Sequence, residues 1–260
     1  MTNLIQELFD SNQIVAAISP QNLNVLTQLE IFDTIESTNT YLLTHAKSGL
    51  SGRVCLAEEQ TKGRGRLGRQ WFSPYGTNIY CSLLWRFSTK IDDMSGLGIV
   101  VAVILANTFK KYGIAGGIQL KWPNDILFAG RKLAGILLER VGDAVVIGMG
   151  VNLSLPASAE TGWIALTEIT GRPISRNYIV GLLLNELLEK LPVYETRGLS
   201  AFTSTWRQHD FLIGKNITVQ MPTQNKKGVM QGINEQGELL LQEEKGTLLQ
   251  FRYGEVSVRL

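Results

Sequence analysis

Residues 118–152, Ile118-QLKWPNDILFAGRKLAGILLERVGDAVVIGMGV-Asn152, decide the fold. Three strand-length apolar runs, Ile118 to Trp122, Lys132 to Arg140 and Ala144 to Val151, are separated by turns containing Pro123-Asn124-Asp125 and Gly142-Asp143. Strands this close in sequence pair as sheet neighbours, and the last of them, if it lies at an edge, offers a route to a weak homodimer of an otherwise monomeric chain. Working outward, Arg53 to Glu59 and Asn78 to Phe87 read as further strands. Thr38 to Ala46, Gly96 to Tyr112, Arg176 to Leu191 and Leu199 to His209 read as helices. A mixed β-sheet packed with helices, of the α+β class, is expected. From Gly214 the texture changes to five short runs, ITVQM, GVMQGI, ELLLQE, LLQFRY and VSVRL, separated by Pro222, Gly232, Gly237, Gly246 and Gly254. These predict a small C-terminal β-barrel, dividing the chain into residues 1–213 and 214–260.

Composition narrows the function classes. The 260 residues are 44% hydrophobic and 18% charged, which suits an enzyme-sized core and excludes a disordered chain. Lys and Arg number 25 against 23 Asp and Glu, so any anion-binding function is local. The N-terminus carries acids early and has no basic flank before an apolar stretch, unlike a secretory leader. The longest apolar run, Gly98 to Ala106, is about half of what a bilayer span requires. Cys55 and Cys81 stand apart in strand-like stretches, which predicts buried, reduced thiols in a cytoplasmic protein.

Chemistry concentrates in four places. In Gln60 to Trp71, QTKGRGRLGRQW, the cations Lys62, Arg64, Arg66 and Arg69 are interleaved with Gly63, Gly65 and Gly68 and accompanied by no acid. Such a loop lets backbone amides and guanidinium groups approach a phosphate-rich ligand. It spells GxGxxG, but Trp71-Phe-Ser-Pro74 follows where a dinucleotide site needs a helix. It also lacks the Lys-Ser/Thr of a nucleoside-triphosphate loop. Lys121-Trp-Pro-Asn-Asp125 places an amide and a carboxylate at a sheet edge, or is only a turn. Lys132 alternates with Ala134 and Ile136, so its ammonium is expected on their face, where it needs an anionic partner. Gly148-Met-Gly-Val-Asn152 ends a strand with small residues, and Ser37-Thr38-Asn39 puts polar groups at a helix start, where capping accounts for one of them.

Taken together and in this order, these elements resemble the biotin protein ligase family: Ser37-Thr38-Asn39, Gln60 with Gly63-Arg-Gly-Arg-Leu-Gly-Arg69 and Trp71, Lys121-Trp-Pro-Asn-Asp125, Arg131-Lys-Leu-Ala-Gly135 and Gly148-Met-Gly-Val-Asn152. The resemblance spans about residues 30–260. It implies a class II synthetase-like catalytic domain followed by an SH3-like barrel. It also implies two half-reactions: biotin and MgATP give biotinyl-5′-AMP and pyrophosphate, then a lysine of a biotin carboxyl carrier protein accepts the biotinyl group. Carried over residue by residue, Lys132 and Arg64 are the catalytic candidates. Ser37, Thr38, Asn39, Gln60, Gly63, Arg64, Gly65, Arg66, Trp71, Lys132 and Gly135 fall to biotin. Arg66, Arg69, Asn124, Asp125, Asn152 and Arg259 fall to ATP. No direct metal ligand is identified, and Asp125 stands where a carboxylate would neighbour Mg²⁺. The arginine loop is expected to be mobile and to fold over the adenylate.

Two rivals are weighed against this. Lipoate protein ligase shares the fold and the adenylate chemistry, but the polar Ser-Thr-Asn and Gln60 set suits a ureido head better than an alkyl tunnel. A nucleic-acid-binding regulator would use the arginine loop on phosphates. Residues 1–29 hold no Lys or Arg and some thirty residues precede the Ser-Thr-Asn element, so a DNA-binding winged helix is not expected here.

Overall fold

The structure, a computed structural model, describes residues 7–88, 94–114, 116–155, 162–221, 224–253 and 256–259. Two short helices, α1 (Ser11–Ala16) and α2 (Pro20–Leu23), lead into strand β1 (Gln28–Ile35). Then follow α3 (Thr38–His45), β2 (Arg53–Gln60), β3 (Ile79–Arg86) and α4 (Ser95–Lys111). After α4 come β4 (Ile118–Lys121), β5 (Asp125–Phe128), β6 (Arg131–Val141) and β7 (Ala144–Val151). Helices α5 (Leu166–Thr170), α6 (Arg176–Arg197) and α7 (Thr203–His209) precede β8 (Asn216–Gln220), β9 (Lys226–Ile233), β10 (Leu239–Gln242), β11 (Leu248–Phe251) and β12 (Ser257–Arg259).

The first seven strands form one mixed sheet in the order β1-β2-β3-β7-β6-β5-β4, with β1 and β2 parallel and the other neighbours antiparallel. This bears out the α+β reading and adds two strands. Strand β1 has a mostly half-exposed pattern that period-two reasoning passes over. Strand β5 begins at Asp125, where only a turn was expected. The expectation that Ala144 to Val151 is an edge strand is corrected: β7 lies between β3 and β6, and the edges are β1 and β4. The helix expected to stop before Pro192 continues to Arg197. Its last turns are anchored by Tyr194, which meets Phe87 and Phe202 edge-on at 6.0 and 6.4 Å, offsetting the lost backbone bond.

One face of the sheet is a continuous apolar core. It takes Val54 and Leu56 of β2, Cys81 and Leu83 of β3, Ile136 and Leu138 of β6 and Ile147 and Met149 of β7, covered by α4 and α6. Helix α4 is apolar nearly all round because it lies between sheet and α6. The five C-terminal strands form an antiparallel sheet in the order β11-β10-β9-β8-β12, and Ile217, Val219, Met230, Leu239 and Leu241 belong to the same apolar cluster. Two of the expected punctuating residues, Pro222 and Gly254, lie outside the described residues. No helix among the described residues is long and apolar enough to cross a membrane. Both cysteines are buried free thiols.

The N-terminal segment is tied down by a buried ion pair. Arg176, at the start of α6, pairs with Glu58 at 2.7 Å, both side chains almost wholly enclosed. Arg176 also donates to the carbonyls of Glu7 and Asn78, and its guanidinium lies over Phe9. Removing one partner strands the other charge in a dry interior. Arg176→Ala is therefore expected to lower unfolding stability by about 3–5 kcal/mol, measured by urea denaturation; a change under about 1 kcal/mol would contradict that role.

Candidate active site

The opposite face of the sheet divides in two. Toward one end, Leu42 and Ala46 pack on Cys55, Leu84, Ala144 and Val146. Toward the other, the alternation of β6 and β7 delivers Gly135, Leu137, Gly148 and Gly150 to the same face, with Gly135 opposite Gly150 and Leu137 opposite Gly148. The three glycines leave a floor almost free of side chains. A Cβ on Gly148 would overlap the Asn39 amide, and one on Gly150 the Trp71 indole. What read as a tight strand exit is the base of a cleft of about 390 Å³.

A hairpin forms the lid. Trp71 N–H donates to the Gly63 carbonyl at 2.9 Å and Gly65 N–H to the Arg69 carbonyl at 2.7 Å, with Arg64 bridging Gln70. Its tip carries Leu67 and Gly68 at φ 56 and 71°, and Leu67 is exposed. Gly63 is needed because a Cβ there would strike the Trp71 carbonyl and the Ser73 hydroxyl. Arg64 leaves the hairpin toward Glu139, 2.6 Å from its carboxylate. Arg66 turns inward, donating to Asn124 Oδ1 at 3.0 Å and to the Val256 carbonyl at 3.1 Å, with its guanidinium 4.5 Å from the Tyr253 ring centre. Burial lowers the Arg66 pKa, with Tyr253 and Asp125 opposing that shift.

The structure corrects the face of Lys132. A bulge between β5 and β6 pairs Ile126 with Ala134 but Leu127 with Lys132, so Leu133 is the extra residue. Ala134 and Ile136 enter the core, while the Lys132 ammonium lies 3.3 Å from the Cβ position of Gly135, on the cleft side. The expected anionic partner is Asp125 Oδ1 at 2.6 Å, and Trp71 covers the ammonium from 5.2 Å. That carboxylate oxygen is buried and accepts no aligned hydrogen bond. Lys121, cross-strand from Asp125, has its pKa lowered by burial. Arg64, Arg66, Arg69, Lys121, Lys132 and Arg259 thus line the cleft, and Asp125 is the one acid among the described lining residues.

At the other end the groups are neutral and mostly engaged with one another. Ser37 caps α3, its hydroxyl accepting from Thr40 N–H. Gln60 Oε1 accepts from Thr38 N–H at 2.9 Å and from its hydroxyl at 3.1 Å, while Nε2 donates to Ser73 at 3.0 Å. Asn39 receives Ser82 on Oδ1 at 2.6 Å and donates through Nδ2 to Glu139 at 2.9 Å. Both ends of the Asn39 amide are thereby taken, although it lines the cleft. Asn152 is fully buried and donates to the Lys132 carbonyl at 3.1 Å, holding the lysine's backbone; its Oδ1 has no partner.

Most of the sequence-predicted residues therefore meet in one place, Arg69 and Arg259 at its exposed rim, but two do not line the cleft: Gly63 stays at the base of the hairpin, paired to Trp71, and Asn152 is buried behind the Lys132 backbone. Sequence reasoning missed Lys121 as a separate cation, and it missed Tyr80, Ser82, Glu139 and Trp163. Trp163 stacks on Trp71 with centroids 5.6 Å apart, and its strand segment pairs with Lys132. Its signal was weak because no helical or strand pattern surrounds it. Polar residues of β3 were readable only once Tyr80 and Ser82 are seen opposite Gly150 and Gly148.

Residues 31–152 match the biotin/lipoate A/B protein ligase family, and residues 212–259 match the biotin protein ligase C-terminal domain. The bifunctional ligase/repressor BirA of Escherichia coli is 37% identical over 262 residues, covering 97% of this chain and 79% of its own. The biotin--[acetyl-CoA-carboxylase] ligase of Paracoccus denitrificans is 32% identical over 224 residues, covering 81% and 92%. Among solved structures, the Aquifex aeolicus biotin protein ligase in complex with biotin and ATP superposes with a TM-score of 0.79 at 26% identity, over 90% of this chain and 99% of that one.

Gly150→Val tests the glycine floor. It is expected to displace Trp71 into solvent, read as a red shift of tryptophan emission, with the far-ultraviolet circular dichroism unchanged. An unshifted emission spectrum would count against the packing described.

Proposed function

The chain belongs to the biotin protein ligase family, and from that premise we propose that its cleft activates biotin as biotinyl-5′-AMP and passes the biotinyl group to a lysine of a biotin carboxyl carrier domain. The observation that carries this reading is the polarity of one continuous cleft. A cationic end is built on Lys132 and Arg66, and a neutral hydrogen-bonding end on Ser37 and Gln60, over a floor almost free of side chains.

The chemistry explains the arrangement. In the first half-reaction a carboxylate oxygen attacks the α-phosphorus of ATP and pyrophosphate leaves, so two anions must meet. Lys132 and Arg66 supply the positive charge at that meeting point, already fixed by Asp125, Asn124 and Tyr253, and so need little reorganisation. Arg69, Lys121 and Arg259 extend the field along the polyphosphate. Asn124 serves by seating Arg66 as much as by touching nucleotide, and Asn152 by fixing the backbone of Lys132. In the second half-reaction the lysine amine attacks the acyl carbon, AMP leaves, and the amine loses a proton. The hairpin of Gly63, Arg64, Gly65 and Arg66 shields the mixed anhydride from water between the two steps.

For biotin's ring, Ser37 offers its hydroxyl hydrogen and Gln60 its second amide hydrogen, while Thr38 and Asn39 hold Gln60 and Ser82 in place. Trp71 closes over Gly135 and Gly150 as the apolar wall. Among the described residues no group of three His, Cys, Asp or Glu could hold a metal ion. Asp125 Oδ1, buried and without an aligned donor, fits one contact to a Mg²⁺ held mainly by nucleotide phosphates. When bound, the ion supplies neutralisation of phosphate charge. We place the protein in the cytoplasm, with ATP at hand and Cys55 and Cys81 reduced.

The nucleic-acid reading is disfavoured by the hairpin itself, since Arg64 and Arg66 point onto Glu139, Asn124 and Val256. Incubation with biotin, MgATP and a carrier domain is expected to raise the carrier's mass by one biotinyl group, and biotin, not lipoate, should compete. Lys132→Ala and Arg64→Ala are each expected to keep the fold and to slow pyrophosphate release or adenylate retention by about 10²-fold or more. Wild-type rates in both variants would overturn the assignment.

A further inference from the structure

Glu139 has no role in the chemistry above, yet it touches both halves of the site. It follows Gly135 and Leu137 on the cleft face of β6, and its side chain is 19% exposed. Oε2 accepts from Asn39 Nδ2 at 2.9 Å, and Oε1 pairs with Arg64 Nη2 at 2.6 Å. One carboxylate on a rigid strand therefore holds one residue of α3 and one of the hairpin. The hairpin carries Lys62, Arg64, Arg66 and Arg69 and no acid of its own, so the body of the protein must supply the anion that seats it. The other carboxylate paired to it among the described residues is Glu36 with Lys62, both largely exposed, a kind of pair that contributes little.

We propose that Glu139 is a positioning residue for the ligase reaction: it seats the hairpin over the cleft through Arg64 and, with the same carboxylate, fixes the Asn39 amide beside the glycine floor. The seating is carried by these contacts within the chain, and its effect on catalysis rests on the function proposed above. Without the charge on Glu139, the closed hairpin becomes a smaller fraction of the free enzyme, and ligand binding must supply the difference. Apparent affinity suffers, while chemistry in the closed, saturated complex does not.

Glu139→Gln keeps the size of the side chain and an acceptor for Asn39 but removes the charge that holds Arg64. In the ligand-free protein, trypsin cleavage at Lys62, Arg64, Arg66 and Arg69 is expected to quicken about tenfold, the scale of a lost charge-assisted hydrogen bond. In the pyrophosphate-release assay the KM for biotin is expected to rise about tenfold with kcat within about twofold. Glu139→Asp, which keeps the charge, should recover part of both, and Glu139→Gln should add nothing further in an Arg64→Met background. Should Glu139→Gln fail to fold, Arg64→Met is read on the cuts at Lys62, Arg66 and Arg69. Wild-type cleavage in the folded variant, or additive effects of the two substitutions, would overturn the proposal. A wild-type protein that fails to turn over biotin and ATP would overturn the function instead, leaving the proteolysis result to stand on its own.

Discussion

Like charges repel, and six cationic side chains converge here on one cleft whose described lining holds one carboxylate, Asp125, with Glu139 beside Arg64. Much of the surrounding structure can be understood as what keeps them there. Lys132 rests on Asp125 under the Trp71 indole, and Arg66 on two carbonyl oxygens and the Tyr253 ring. Arg64 rests on Glu139. These three positive groups are thus steadied by acceptors that do not neutralise the whole cluster, so a net positive field remains for a polyanion. Burial lowers the pKa of Lys121 and of Arg66, the direction expected where water is withdrawn from a cation.

The sheet makes the room. In β7 the odd-numbered residues Val145, Ile147, Met149 and Val151 are large and join the core. The even-numbered ones are Ala144 and Val146 at one end and Gly148 and Gly150 at the other, where nothing projects. The same strand therefore closes a helix contact at one end and opens a binding floor at the other. Trp71 and Asn39 fill the space where side chains would be, which is why the cleft has firm walls.

Most of the sheet, the main helices and the four chemical motifs were legible because their signals are local: apolar alternation, capping, and cations crowded among glycines. What stayed hidden depends on pairing across the chain. Strand β1 is half exposed and gains its identity from lying parallel to β2. The turn expected at Pro123 to Asp125 is there but leads straight into a strand at Asp125, and the bulge of that strand against β6 moves Lys132 to the opposite face from the one its spacing implied. Asn39 was read as a ligand contact, yet its amide is committed to Ser82 and Glu139. Glu139 lies in a strand that its apolar run marks, but nothing local marks its role, and Trp163 lies in a stretch without pattern.

Arg66 finishes this list with a matter of timing. One of its acceptors, the Val256 carbonyl, lies 190 residues further along the chain, close to the last strand. A ribosome must therefore deliver the chain through Val256 before that guanidinium finds its seat. A growing chain that has already folded its large sheet still lacks this contact of the lid until the segment around Val256 arrives.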